Sequence, residues 1–275
     1  MAESWIVRLP GTEDATLPAA VGAASTDVTL GDELASLDTL IESAAGERRP
    51  QAVTLVVGSW ADLVPHRWAS HALAGDETPY TAWLDQMFAD DAQTVWNRPD
   101  LLLERLVGAV GSAEKVHVVV VEAGRPPSAD AAALLQATRS EYAKRGWGQD
   151  VFDQYFAATV WPRRQPKGAA LGVPEHVVVA AHRLVDALGG ADASVTGNLA
   201  DVDKRGPSGD GVVPRAVSAA AGADVLVATI EATVDPAEVA AGHAVWRRAE
   251  ELSWRELVAL LRKSRTGSVA GERPA

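Results

Sequence analysis

The chain contains no cysteine, which excludes disulfides, thiolate metal sites and cysteine nucleophiles together. It also lacks long apolar stretches: no run approaches the ~20 residues that a membrane-spanning helix requires. The opening "MAESWIVRLPGTED" has no basic segment followed by an apolar one, so no secretory signal is expected, and the cysteine-free composition is consistent with a cytoplasmic protein. Positive charge is scarce, with 25 Lys and Arg against 37 Asp and Glu for a formal net charge of −12. Affinity for nucleic acid comes from clustered cations, so that class of partner is disfavoured. The short basic spots at 161–167, 246–248 and 261–265 read as solvated surface. Tyrosine is reduced to three residues, a scarcity that matters for the chemistry considered below.

What the chain does have is a sizeable apolar fraction, 47%, and nine tryptophans dispersed along 275 residues. Dispersed tryptophans are expected to pack in a core. Short β-branched runs alternate with helical periodicity. Trp5–Leu9, "AVTLVVGSW" (52–60) and "KVHVVVVEAG" (115–124) read as strands, the last two apolar throughout, as suits strands buried on both faces. "QYFAATVWP" (154–162) and "ADVLVATI" (223–230) read as two more. Helices are predicted at 34–41, 83–95, 99–110, 129–144 and 174–188, with Asp32 near the start of the first. Two capped helices are predicted after "DPAE" (235–238) and at "SWRE" (253–256). Strands alternating with helices predict an α/β fold, a Rossmann-like doubly wound parallel sheet with helices on both faces and a C-terminal extension. The glycine- and proline-containing "RGPSGDG" (205–211) divides a main body, 1–206, from that extension, 207–275.

In order along the chain, several segments resemble the short-chain dehydrogenase/reductase family. "TDVTLGDELASLDTLIESA" (26–44) is similar to that family's Asp-Val-Thr phrase and the helix after it. "AVTLVVGSW" lies where the family has the strand ending Asn-Asn-Ala-Gly. "WLDQMFADDAQTVWNRPDLLLERLVGAV" (83–110) resembles the following long helix, and "KVHVVVVEAG" occupies the place of the strand that carries the catalytic serine. "AALLQATRSEYAKRG" (132–146) resembles the helix after the catalytic tyrosine and lysine. "QYFAATVWP" matches the strand ending in Pro-Gly, and "PEHVVVAAHRLVDALGGADASVTGNLADVD" (174–203) the last helix and strand. The resemblance covers about residues 3–206 and rests on an ordered series of weak matches.

The departures from the family pattern concern its working parts. The family's chemistry needs a tyrosine with a lysine four positions on, which lowers the phenol pKa, and a serine on the substrate oxygen. Here Tyr80 is followed at that spacing by Leu84, Tyr142 by Gly146 and Tyr155 by Thr159. The strand that should carry the serine ends Glu122-Ala123-Gly124. The turn that should cradle the pyrophosphate is "LPGTEDATL" (9–17). Gly11 matches its first glycine, Ala15 and Leu17 replace the later ones, and Glu13 and Asp14 set two negative charges where a dianion would sit. Only 18–25 separate this turn from Asp27, too few for the helix and strand that normally wall the adenosine ribose. Gly11, Asp27 and Gly58 are therefore expected to line at most a vestigial crevice, and no cofactor is expected.

Other constellations are weaker. His66 and His71 are five apart, a poor metal-ligand spacing on a helix, and are expected in a surface loop. His117 alternates with valines in a strand and reads as a core residue. "GPSGDG" resembles a phosphate loop but lacks the lysine. No Gly-x-Ser-x-Gly elbow is present.

The resemblance implies association through the helices at 83–110 and 129–145, which in the family form the dimer interface. Trp96, Leu102, Leu106, Val110, Leu134 and Leu135 could fill such an interface, or some of them could face the chain's own sheet. The apolar positions Val239, Val245, Trp246, Leu252, Trp254, Leu257 and Leu261 of the extension also need a cover. The expectation is a catalytically silent subunit, pairing with an active homologue or with itself. The alternative is an NAD(P)-dependent oxidoreductase or lyase with rebuilt chemistry, drawing on Glu122, His117, Ser59 and Tyr155 at the predicted strand ends. A ligand crevice without turnover is a third reading.

Overall fold

The computed structural model describes residues 4–17, 25–45, 50–122, 124, 126–158, 160–162, 168–204 and 206, with isolated positions 213–214, 217–218, 222 and 225. Five strands, β1 (Ser4–Arg8), β2 (Ser25–Thr29), β3 (Ala52–Val57), β4 (Val116–Val120) and β5 (Ser194–Thr196), form one all-parallel sheet in the order β2-β1-β3-β4-β5. Helices flank it: α1 (Leu34–Ala45), α2 (Trp60–Leu73), α3 (Tyr80–Met87), α4 (Pro99–Val110), α5 (Ala129–Lys144), α6 (Gln149–Phe152) and α7 (Glu175–Gly190). This is the Rossmann-like α/β class that the alternation of strands and helices predicted.

The strand order has a direct physical reading. The sequence returns to the far side of β1 after β2, so connections diverge between β1 and β3. In open parallel sheets ligands bind at the carboxyl ends of the strands beside that divergence. The same order is what the six-stranded dinucleotide-binding arrangement becomes if its second strand is left out, since β2 then lies directly against β1. Register is set by hydrophobic pairing: Trp5, Val53 and Val116 lie side by side, as do Val7, Leu55, Val118 and Val195. All of these but Val195 are buried, and they present one apolar face to the helices. α1 packs on α4 and α4 on α7, while α2 packs on α3, α5 and α7.

The core is built around tryptophan. Trp60, Trp68, Trp83 and Trp96 are fully buried, and the rings of Trp60 and Trp96 meet edge-on at 5.5 Å. The Trp68 indole donates to the Thr78 carbonyl and that of Trp96 to the Asp32 carboxylate, satisfying two buried N–H groups.

Three expectations are corrected. The segment 154–162 is not a strand. α6 runs into a wide π turn over Asp153–Ala157. Phe152, Phe156 and Trp161 stack in succession at 5.1 and 6.2 Å and are buried. Spacings of four and five residues gather those rings on one side of a helical turn, whereas a strand would have split them between two faces. The helix expected over 83–95, and with it the continuous helix over 83–110, is interrupted. α3 ends at Met87, and α4 starts at Pro99, whose ring holds Arg98 out of helical geometry. Between them Thr94 donates to the Met87 carbonyl, and the Asn97 amide donates to the Ala89 and Ala92 carbonyls, closing a tight irregular loop. His66 and His71, expected in a surface loop, lie on α2 instead, which continues through a buried Pro65. The strand expected at 223–230 and the helices expected beyond 235 lie outside the described residues. Of the extension, Val213 is buried, and Ser218 donates to Asp130 on α5.

Candidate functional site

A cleft of about 790 Å³ opens at the carboxyl ends of β1, β4 and β5. That volume lies within the ~300–1,000 Å³ typical of small-molecule sites. One wall is the turn after β1, from Gly11 through Glu13 to Leu17, and the other is Val119–Glu122, Gly124 and Thr196, with His66 reaching in from α2. The charged side chains of the described lining are Glu13, Asp14 and Glu122, so the site carries negative potential.

The turn after β1 is held by its own residues. Arg8, buried at the end of β1, pairs with Asp27 on β2 at 2.9 Å and donates to the carbonyls of Thr12 and Ala15. The Thr12 hydroxyl and amide both donate to the Leu9 carbonyl. Gly11 sits at φ 91°, where a side chain would be strained and would press on Leu63 of α2. The Gly11 amide donates to the Glu13 carboxylate at 3.0 Å. In a dinucleotide-binding turn such a glycine amide faces pyrophosphate oxygens. Here that amide is taken by a carboxylate from the same turn. The first amide of α2, a second natural phosphate donor, is likewise occupied: Trp60 N–H donates to the Val202 carbonyl at 3.1 Å.

Next to this wall, β4 and β5 bring three polar side chains onto one face. His117 pairs in register with Ser194, and its Nδ1 lies 2.6 Å from the Ser194 hydroxyl. Its Nε2 lies 3.1 Å from the hydroxyl of Thr196, the last residue of β5. His117 is therefore a half-buried, hydrogen-bonded residue rather than one sealed in the core; Thr196 lines the cleft, and His117 itself is not among the lining residues.

A second polar cluster stands apart from the cleft. Asp32, just before α1, accepts from Arg67 and His71 of α2 and from the Trp96 indole. Burial pushes its carboxyl up, but the His71, Arg67 and Trp96 hydrogen bonds and the Arg67 charge outweigh that and hold it well below the usual carboxylate range.

The residues singled out in the sequence are thus dispersed. Gly11 and Glu122 line the cleft. Asp27 is engaged by Arg8, and Gly58 precedes Ser59 at the start of α2; neither Asp27, Gly58 nor Ser59 is among the lining residues. Tyr80 is buried and donates to the Gly172 carbonyl, and burial raises its phenol far above the usual range. The side chain of Tyr155 lies outside the described residues. Trp96, Leu102, Leu106, Val110, Leu134 and Leu135 are all buried in the chain's own core. An association through α4 and α5 would have to use the outer faces of those helices. Sequence reasoning passed over Ser194 and Thr196. Their alternate spacing in "SVT" puts both hydroxyls on one face of a strand, but only strand register sets them beside His117.

No family model, curated protein or solved structure matches the chain. Among the described residues, no group of three or more His, Cys, Asp or Glu is placed to hold a metal ion, and no helix is long and apolar enough to cross a membrane.

Proposed function

We propose that this chain is a non-redox subunit on a short-chain-dehydrogenase-like scaffold: it transfers no hydride, holds no NAD(P), and acts by associating with an active reductase or dehydrogenase that it supports. The supporting observation is the Gly11 amide. A dinucleotide would have to displace the Glu13 carboxylate from it and then place a pyrophosphate among Glu13, Asp14 and Glu122. The same negative lining weighs against the alternative of an NAD(P)-dependent oxidoreductase or lyase with substitute catalytic groups.

Two measurements test the proposal. Fluorescence titration with NADH and NADPH is expected to show no saturable change, and micromolar binding of either would overturn it. Tagged protein from its own host is expected to copurify with a reductase that loses stability or activity when the chain is removed. A chain that stays monodisperse and leaves every such enzyme unaffected would defeat the subunit reading.

A further inference from the structure

We propose that Thr196 is a nucleophile for acyl transfer, with His117 as its general base and Ser194 as the positioning residue of the imidazole. This activity goes beyond the non-redox reading and needs no cofactor.

The argument begins with strand periodicity. Ser194 and Thr196 are two apart on β5 and share a face, and His117 is directly opposite Ser194 on β4. Both ring nitrogens of His117 meet a hydroxyl, at 2.6 and 3.1 Å. A neutral imidazole has one N–H and one lone pair, so one of the two hydroxyls donates its proton toward the ring. With the ring proton on Nδ1 and directed to Ser194, the Nε2 lone pair receives the Thr196 hydroxyl. Nucleophile, base and orienting group then stand in the relation that activates hydroxyl nucleophiles generally. Thr196 lines the cleft, and neither Ser194 nor His117 is among the lining residues; the hydroxyl open to a ligand in the cleft is thus that of Thr196, which distinguishes the attacking hydroxyl from the positioning one.

The chain turns sharply just after Thr196. Gly197 has φ 101°, and a Cβ there would lie 2.9 Å from the Val120 carbonyl oxygen. Only glycine lets the backbone turn away at once while pressed against β4. The lining carboxylates Glu13, Asp14 and Glu122 repel anionic acyl donors, so the substrate class is an ester or thioester without negative charge.

In the acylation step the Thr196 oxygen bonds to the carbonyl carbon and its proton passes to Nε2 of His117. The bond to the leaving alcohol or thiol breaks, and that group takes the proton from Nε2. Water then attacks the acyl-threonine by the same route, releasing the acid and restoring the hydroxyl.

The test uses the full chain and p-nitrophenyl acetate. A burst of p-nitrophenolate is expected, with the acetyl group located by peptide mass spectrometry on Thr196. Thr196→Val and His117→Gln are expected to slow the burst at least ~100-fold, with unchanged melting behaviour, while Thr196→Ser retains it. Ser194→Ala should lower the acylation rate without altering the burst amplitude, and Ser194→Thr should restore it. The adduct mapping requires no variant, so a folding defect in any substitution leaves the question decidable. Acetyl on any other residue, no burst, or a burst indifferent to His117→Gln would overturn the proposal.

Discussion

Asp32→Ala is expected to be among the most damaging single substitutions in the described structure, and its cost follows from the partners of that carboxylate. Two oxygens accept from the Arg67 guanidinium, from His71 Nε2 and from the Trp96 indole, tying the start of α1 to α2 and to the loop before α4. Trp96 is fully buried, so its N–H would be left without an acceptor and without access to water, a loss of ~1–3 kcal/mol. The Arg67 and His71 side chains are 24% and 30% exposed and regain solvent, so their share falls at the low end of the ~1.5–3 kcal/mol for charged hydrogen bonds. The total is about 3–5 kcal/mol, the range seen when one partner of a buried ion pair is removed. In a chain of this length that corresponds to a melting temperature lowered by about 6–10 °C. Asp32→Asn, which keeps an acceptor oxygen and the volume, is expected to cost about half as much. Thermal and urea unfolding measure both, and a double-mutant cycle with Trp96→Phe isolates the indole bond, with a coupling of ~1–2 kcal/mol expected. The folded carboxyl is held below its unfolded value, so its contribution is complete above about pH 4 and is lost as pH falls toward the folded value. The gap between wild type and Asp32→Asn should therefore narrow in acid. An Asp32→Ala penalty under about 1 kcal/mol, or strict additivity with Trp96→Phe, would refute the reasoning.

Other consequences are accessible to the same methods. His182 on α7 is raised above its usual value by the Asp203 hydrogen bond and the Asp186 charge. Its stabilisation should be complete below about pH 6.5 and vanish as pH rises through the folded value, a dependence that NMR titration and Asp203→Asn can check. Tyr80→Phe removes a buried donor to the Gly172 carbonyl and should cost about 1 kcal/mol. The wild type should also show a phenol that ionises only as the chain unfolds in alkali, and this signal should be missing from the variant. Ser128→Ala deletes the hydroxyl that accepts from the Ala131 amide at the start of α5, and about 1 kcal/mol of stability should go with it. Gly11→Ala forces a positive φ on a side chain facing Leu63, and denaturation should register a loss of about 1–2 kcal/mol.

The sequence by itself determined the elements whose signal is local. The β-branched runs at 52–57 and 116–120 formed strands because such residues suit a sheet buried on both faces. The segments at 99–110, 129–144 and 175–190 formed helices because their apolar positions recur at helical spacing. Together they were enough to predict a parallel α/β sheet, and the acidic character of the "GTED" turn was legible in advance. What the chain could not declare locally was decided by tertiary contact. The segment 154–162 read as a strand, and the rings of Phe152, Phe156 and Trp161, stacking on one another, select a helical turn instead. The break between α3 and α4 depends on Asn97 and Thr94 bonding back to carbonyls. His66 and His71 looked isolated because the carboxylate that engages His71 lies 39 residues away in sequence. The meeting of His117 with Ser194 and Thr196 likewise depends on the register of two strands that α5, α6 and α7 separate in sequence. Periodicity acts over one turn or one strand, whereas a site is assembled from distant segments, and only the packed sheet fixes which hydroxyl stands beside which ring nitrogen.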